Sequence, residues 1–466
     1  MKTVRLLTAA LIPALAITAL AQNFKLLNDR NIITEASDYF TQSRGGYLLT
    51  TAVPLGSMPA VFRFTTSGVF TNIHSFAGEY TEHLGINPSG GVTLGTDGRF
   101  YGVTKYGSKY NVGTIFQMTP DGIVKTIHVF TAGDNGGCPF YAPMLSMSGD
   151  FYGTTEGGCS GGSSIGESSA VIYRISRDGN FTVLHVFSFG DTVKASGPLI
   201  QATDQWIYGA TGMGGAHSKG SIFRINRDGH FETLYSFDGS HGSAPMGGLV
   251  QANDGNFYGT TEDDGVTSLG AVYKMTPTRQ VMLVYKFRGG SDGAFPRNLV
   301  LGSDGNLYGT SLRLNIKGGG VLFRVTPRGD FTVLHNFDSG EDSPGDVPVA
   351  LVQHTNGLLY GDTANETRGM DSADATYSSF YSYNLGLPPF ITYLASYGRA
   401  GTQVDLLGEN FTSDSKAFFN GVQAQIVSVA PTYMTVVIPN GATTGYITVT
   451  TNKGTLKSDK RFVVRQ

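Results

Sequence analysis

Carboxylates and aromatic rings gather in the long Gly/Ser-rich stretches of this chain. Glu156, Glu262, Asp263, Asp264, Glu341, Asp342 and Asp346 lie there, with Phe140, Tyr141 and Phe295. A carboxylate accepts hydroxyl protons, and a ring covers the apolar face of a sugar, so this mixture suits carbohydrate recognition. Two carboxylates about 5–10 Å apart across a cleft could also hydrolyse a glycosidic bond. Each residue reads equally well as a solvated loop side chain. The candidate binding set is Glu156, Glu262, Asp263, Asp264, Phe140, Tyr141 and Phe295. No catalytic residue, metal ligand set or cofactor is assigned.

Four of the nine histidines, His74, His128, His185 and His335, occupy one recurring slot that Tyr235 and Tyr285 fill elsewhere. A position shared with Tyr packs and hydrogen-bonds rather than ligating. Cys138 and Cys159 are the two cysteines, equally far from a turn at Ser148-Gly149. They would face each other across the open end of a hairpin, and a disulfide there would contribute about 3 kcal/mol. A metal site is the weaker alternative, because no His pair accompanies them. No Walker loop or zincin helix occurs. The sialidase box is also missing, since "SDGNLYG" from Ser303 lacks its Trp.

The elements that must position these residues are repeats. A Tyr-Gly pair recurs at Tyr101, Tyr152, Tyr208, Tyr258, Tyr308 and Tyr360, spaced by 51, 56, 50, 50 and 52 residues. Each pair follows a turn, as in "LVQANDGNFYGTT" from Leu249. A second motif follows, as in "IFRINRDG" from Ile222, and a third closes the unit, as in "FTVLHNF" from Phe331. Asp-Gly and Asn-Gly between alternating runs predict hairpins. Four short antiparallel strands in about 50 residues make one propeller blade. The aromatic slot of the second motif is filled at Phe62, Phe116, Tyr173, Phe223, Tyr273, Phe323 and Tyr381, which predicts seven blades.

The fourth-strand motif is present only six times, ending at Phe337. Residues 23–27, "NFKLL", match "NFTVL" at 180–184, so the N-terminal strand is expected to complete the last blade and close the ring. Short turns follow the first and third strands, and long loops follow the second and fourth. Alternation then puts every long loop on one face, where function is usually displayed.

Lys2, Arg5, the apolar run Leu6–Leu20 and Ala19-Leu20-Ala21 predict a signal peptide over 1–21, and hence export to the periplasm, surface or medium. The run is too short for a spanning helix. The net charge of −3, without a basic cluster, argues against nucleic acid. Only 15% of residues are charged and 64 are Gly, as a turn-rich all-β protein requires. From Pro388 short alternating strands continue for about 80 residues, as in a small β-sandwich.

The repeats resemble the GloVer tandem repeats of bacterial exported proteins over about residues 40–385, through "DGNxYGTT" and "GxVFRxTPxG". The last segment resembles an IPT/TIG domain through Gly408-Glu409-Asn410-Phe411, Phe418 to Gly421, Val436 to Pro439 and Gly445 to Val449. These resemblances imply export, a propeller over 22–386 and an immunoglobulin-like domain over 388–466, but no fixed chemistry. The expectation is a monomeric, non-enzymatic protein presenting its loop face to a polysaccharide or a cell-surface protein. The alternatives are a glycosidase or lyase using loop carboxylates, and a purely structural envelope protein. One prediction concerns the cysteines: a non-reduced digest should yield one linked peptide pair holding Cys138 and Cys159. Free thiols at both would refute the pairing.

Overall fold

A computed structural model describes residues 23–31, 33–36, 39–54, 58–76, 85–156, 168–187, 195–312, 319–337, 347–364 and 378–465. The chain is all-β, a propeller-like array followed by an immunoglobulin-like sandwich. Among the described residues, 24–383 form seven antiparallel sheets. Sheets 1 to 7 are numbered here in chain order. Sheet 5 is typical: Ser243–Gln251, Phe257–Asp263, Ala271–Met275 and Val281–Lys286, each strand paired with the next.

The repeat motifs follow from the packing of one sheet. In "DGNxYG" the Asp carboxylate performs two tasks. One oxygen accepts the backbone N–H two residues on, closing the turn, and the other accepts the Tyr hydroxyl. The Tyr–Asp distances are 2.9 Å for Tyr101–Asp97, 2.7 Å for Tyr208–Asp204 and Tyr258–Asp254, and 2.8 Å for Tyr308–Asp304. Burial is the chief cause that pushes the Tyr101 and Tyr208 hydroxyls up to about 12. The Gly after Tyr leaves room for the aromatic slot of the next strand. A Cβ at Gly209 would strike Phe223, at Gly309 Phe323 and at Gly361 Tyr381.

Neighbouring sheets are joined by repeated contacts. The His/Tyr slot stacks on the ring that opens the fourth strand of the following sheet: His128 on Phe181 at 3.7 Å, His185 on Phe231 at 3.9 Å and Tyr285 on Phe331 at 4.0 Å. His335 meets Phe24 in the same way at 3.8 Å. Strand Phe24–Asn31 therefore occupies the fourth-strand position of sheet 7, pairing with Ser378–Tyr383. A glutamine forms the second link, its side-chain oxygen accepting a turn N–H of the preceding sheet. Gln201 takes Met147 at 2.7 Å, Gln251 takes Thr203 at 3.0 Å and Gln353 takes Ser303 at 2.7 Å. Gln42 of sheet 1 takes Thr355 of sheet 7 at 3.1 Å.

The C-terminal sandwich packs strands Thr392–Tyr393, Gln403–Leu407, Tyr433–Val437 and Gln425–Ala430 against a second sheet. Its core includes Leu406, Phe419, Met434, Ile447 and Phe462. The sandwich rests on the short-turn face of the array. Arg44 Nη2 lies 3.0 Å from Asp405 Oδ2, and its guanidinium covers Tyr433 at 4.3 Å. The Thr355 hydroxyl donates to Glu409 at 2.7 Å. Leu407 joins the buried cluster of Leu49, Phe100 and Phe116.

The histidine slot makes stability depend on pH. Burial pushes His128 down to about 4, only partly opposed by the Asn135 side chain, and burial also lowers His74 and His185. The fold thus favours neutral imidazole, while the unfolded chain takes up protons near pH 6.5. This contribution is complete above about pH 6.5 and is lost as pH falls toward 4, at about 3 kcal/mol for His128. The melting temperature should therefore fall from pH 7 to 4. His128→Tyr, which installs the residue found in other units, should flatten part of that slope. An unchanged slope would contradict this role.

Candidate binding site

The long loops are drawn together by a second repeated device. Cys138, Ala244 and Phe295 each precede a proline, and their φ angles are 51°, 50° and 49°. The left-handed region is costly for such residues, by roughly 1–3 kcal/mol each. What holds them is the same hydrogen bond, from their N–H to a carbonyl in the loop after the second strand of the preceding sheet. Cys138 donates to Val112 at 2.7 Å, Ala244 to Lys219 at 2.9 Å and Phe295 to Leu269 at 2.8 Å. The prolines then seat on glycines: a Cβ at Gly113 would strike Pro139, at Gly220 Pro245 and at Gly270 Pro296. Each segment leading into a sheet is thus tied to the loop beside it, on the face opposite the sandwich.

A cavity of about 320 Å³ opens there. Phe140 and Tyr141 form one wall, Met213 and Met246 another, and Glu262, Arg297 and Asn298 supply charge and hydrogen bonds. Met213 and Met246 are exposed, at 53% and 39%. Ser196 Oγ also lines it, buried and with no hydrogen-bond partner among the described residues. The Tyr39 hydroxyl donates to Asn298 Oδ1 at 2.8 Å, and Gly248 N–H reaches the same oxygen at 3.3 Å. Asn298 is therefore held with its amide nitrogen as the remaining donor. Tyr39 packs edge-on against Tyr141 at 5.7 Å, which braces the aromatic wall. Apolar rings with a few fixed polar groups are the composition of a small-ligand site.

Of the sequence-derived residues, the fold brings Phe140, Tyr141 and Glu262 to this cavity. Glu156 lies to one side, paired with Lys105 at 3.4 Å, and Lys105 in turn sits 5.2 Å from the Phe140 ring centre. Asp263 accepts the Gly265 N–H at 2.7 Å and the Ser243 hydroxyl at 3.3 Å. Asp264 is buried, and one of its oxygens accepts N–H groups of Val266, Thr267 and Ser268 at 3.1, 2.6 and 3.0 Å. Burial raises its carboxyl, but those donors outweigh it and the group titrates below its usual range. Asp264 is thus a loop anchor. Phe295 is the strained junction residue described above. Cys138 is buried, while Cys159, Glu341, Asp342 and Asp346 lie outside the described residues, as does the signal segment 1–21.

Arg297, Asn298, Ser196, Met213 and Met246 were not anticipated. A signal for two of them was present: Arg297-Asn298 stands where the preceding unit has Gly247-Gly248 after "AP-Met". A Cβ at Gly247 would strike the Asn298 side chain, so the small residue and the large one are complementary. Among the described residues no cluster of three His, Cys, Asp or Glu side chains could hold a metal ion. Nor is any helix there long and apolar enough to cross a membrane.

No match was found among curated protein sequences. Among solved structures, the chain is similar to a luciferin-regenerating enzyme at 13% identity and a TM-score of 0.40, over 65% of this chain and 93% of that one. It is similar to a gluconolactonase from Xanthomonas campestris at 11% identity and a TM-score of 0.40, over 77% and 97%. It is also similar to a PQQ-bound aldose sugar dehydrogenase from Streptomyces coelicolor at 16% identity and a TM-score of 0.37, over 77% and 97%. Two family models match. Sheets 1 and 2 lie outside the first match; sheet 2 has the four-strand order of the matched sheets, and sheet 1 adds the short strand Thr41–Gln42. The chain carries the Gloeobacter/Verrucomicrobia repeat over residues 159–377 and an IPT/TIG domain over residues 389–464.

Proposed function

We propose that this is an exported binding protein that takes a carbohydrate at the loop face of its repeat array. The observation carrying this reading is the cavity itself. Two aromatic side chains, two methionines, one carboxylate, one guanidinium and one oriented amide converge from different sheets. Sugars offer an apolar ring face and a rim of hydroxyls, which such a lining matches. Glycoside hydrolysis usually needs a carboxylate pair, and among the described residues Glu262 is the single carboxylate lining the cavity. That favours binding over turnover.

The same reading takes the seven sheets as seven blades of one ring over 22–386, closed by the N-terminal strand, with the sandwich over 388–466 as a spacer or second contact. Export and the Cys138–Cys159 disulfide belong to it. The protein acts as a monomer in this account.

Glycan-array binding of residues 22–466 tests the proposal, with single changes Phe140→Ala, Met246→Ala, Glu262→Gln and Arg297→Ala. A binding face should lose affinity stepwise, roughly five- to thirty-fold per change, about 1–2 kcal/mol each. Product release that vanishes with Glu262→Gln alone would indicate an enzyme. Absence of glycan binding would remove the carbohydrate reading.

A further inference from the structure

Sheet 1 departs from the repeat at one point, and a second cavity opens there. In sheets 3 to 6 the motif tyrosine stands opposite a basic residue of the next strand: Tyr152 opposite Arg174, Tyr208 opposite Arg224, Tyr258 opposite Lys274 and Tyr308 opposite Arg324. Sheet 4 provides that cation with carboxylates. Arg224 lies 2.9 Å from Glu232 and 3.8 Å from Asp204. In sheet 1 the basic residue is kept as Arg63, but its surroundings have changed. Leu49 stands opposite in place of the tyrosine, and Thr71 takes the position of Glu232, as Thr182 and Thr332 do in sheets 3 and 6. Four residues before Leu49, where the motif has Asp, is Gly45.

The missing tyrosine and aspartate leave a cavity of about 590 Å³ on the short-turn face, beside the docked sandwich. Among the described residues Arg63 has no carboxylate partner. Its guanidinium is fixed over the Tyr47 ring at 4.8 Å, and that ring is 37% exposed. The other two guanidiniums in the wall are committed: Arg44 to Asp405 at 3.0 Å, and Arg99 to Asp97 at 3.6 Å. Asp97 also accepts the Tyr101 hydroxyl, and Asp121 is held on the rim by Thr119. A ring-stacked guanidinium without an acidic partner is preorganised to take a carboxylate from outside. The hydroxyls of Ser43 and Thr119 line the same space.

We propose that this cavity binds a carboxylated sugar, with the carboxylate on Arg63 in the position that Glu232 and Asp204 hold on Arg224 of sheet 4. This site is separate from the loop-face cavity and does not rest on the reading given there. Calorimetric titration of the full chain with galacturonate, galactose and acetate tests it. Saturable binding of galacturonate is expected, weaker at high salt, with galactose and acetate each at least tenfold weaker. Arg63→Gln should weaken galacturonate at least tenfold while leaving the melting temperature in place. Galacturonate binding that is absent, or equal in wild type and Arg63→Gln, would overturn the proposal. Acetate binding as tightly as galacturonate would overturn the assignment to a sugar.

Discussion

The contact on which the rest of the array depends is the pairing of the N-terminal strand with the last sheet. Phe24 lies between His335 and Tyr381, at 3.8 and 5.4 Å, and touches Phe337 at 5.8 Å. It thereby joins the two ends of the repeat region. Without Phe24–Asn31, the strand Ser378–Tyr383 would present an open edge, which invites aggregation and frays the sheet behind it. The strand also meets sheet 1, where Gly68 has room only for hydrogen against the Leu27 carbonyl. Glycines at 122, 179, 229 and 329 sit in the same way on Ile73, Ile127, Leu184 and Val284. The seam is therefore made with the same parts as the internal junctions.

This regularity explains why the two faces differ. One face carries tight turns, closed by Asp, Asn, Ser or Thr side chains, and receives the sandwich. The other carries loops that must be tied down individually. The ties run from residues forced to positive φ before a proline, and they bring side chains from different sheets to one place. Stable repeats thus supply the rigidity, and departures from the repeat supply the sites. Arg297-Asn298 departs on the loop face, and Leu49 with Gly45 departs on the turn face.

Much of the architecture was legible in the sequence because the repeat encodes local packing. The Tyr-Gly pair, the aromatic slot and the histidine slot each report a contact within a sheet or with its neighbour. The match of residues 23–27 to 180–184 located the strand at the seam, and Phe24 does take the place of Phe181 on its histidine. Phe140, Tyr141 and Glu262 were read as loop residues; Glu262 instead lies at the end of the strand Phe257–Asp263, and all three line the cavity. The remaining cavity residues were not, because contacts between Gly247 and Asn298 or between Tyr39 and Asn298 cross sheets that no motif aligns. Acidic residues that looked alike also proved different in role. Asp264 is spent on its own loop, whereas Glu262, two residues away, faces the cavity.

Thermal unfolding of residues 22–466 beside the same chain lacking 22–29 tests the dependence on the seam most directly. The account predicts a sharp drop in melting temperature for the repeat region, with a C-terminal sandwich that retains its own transition. A melting curve unchanged by the deletion would contradict it.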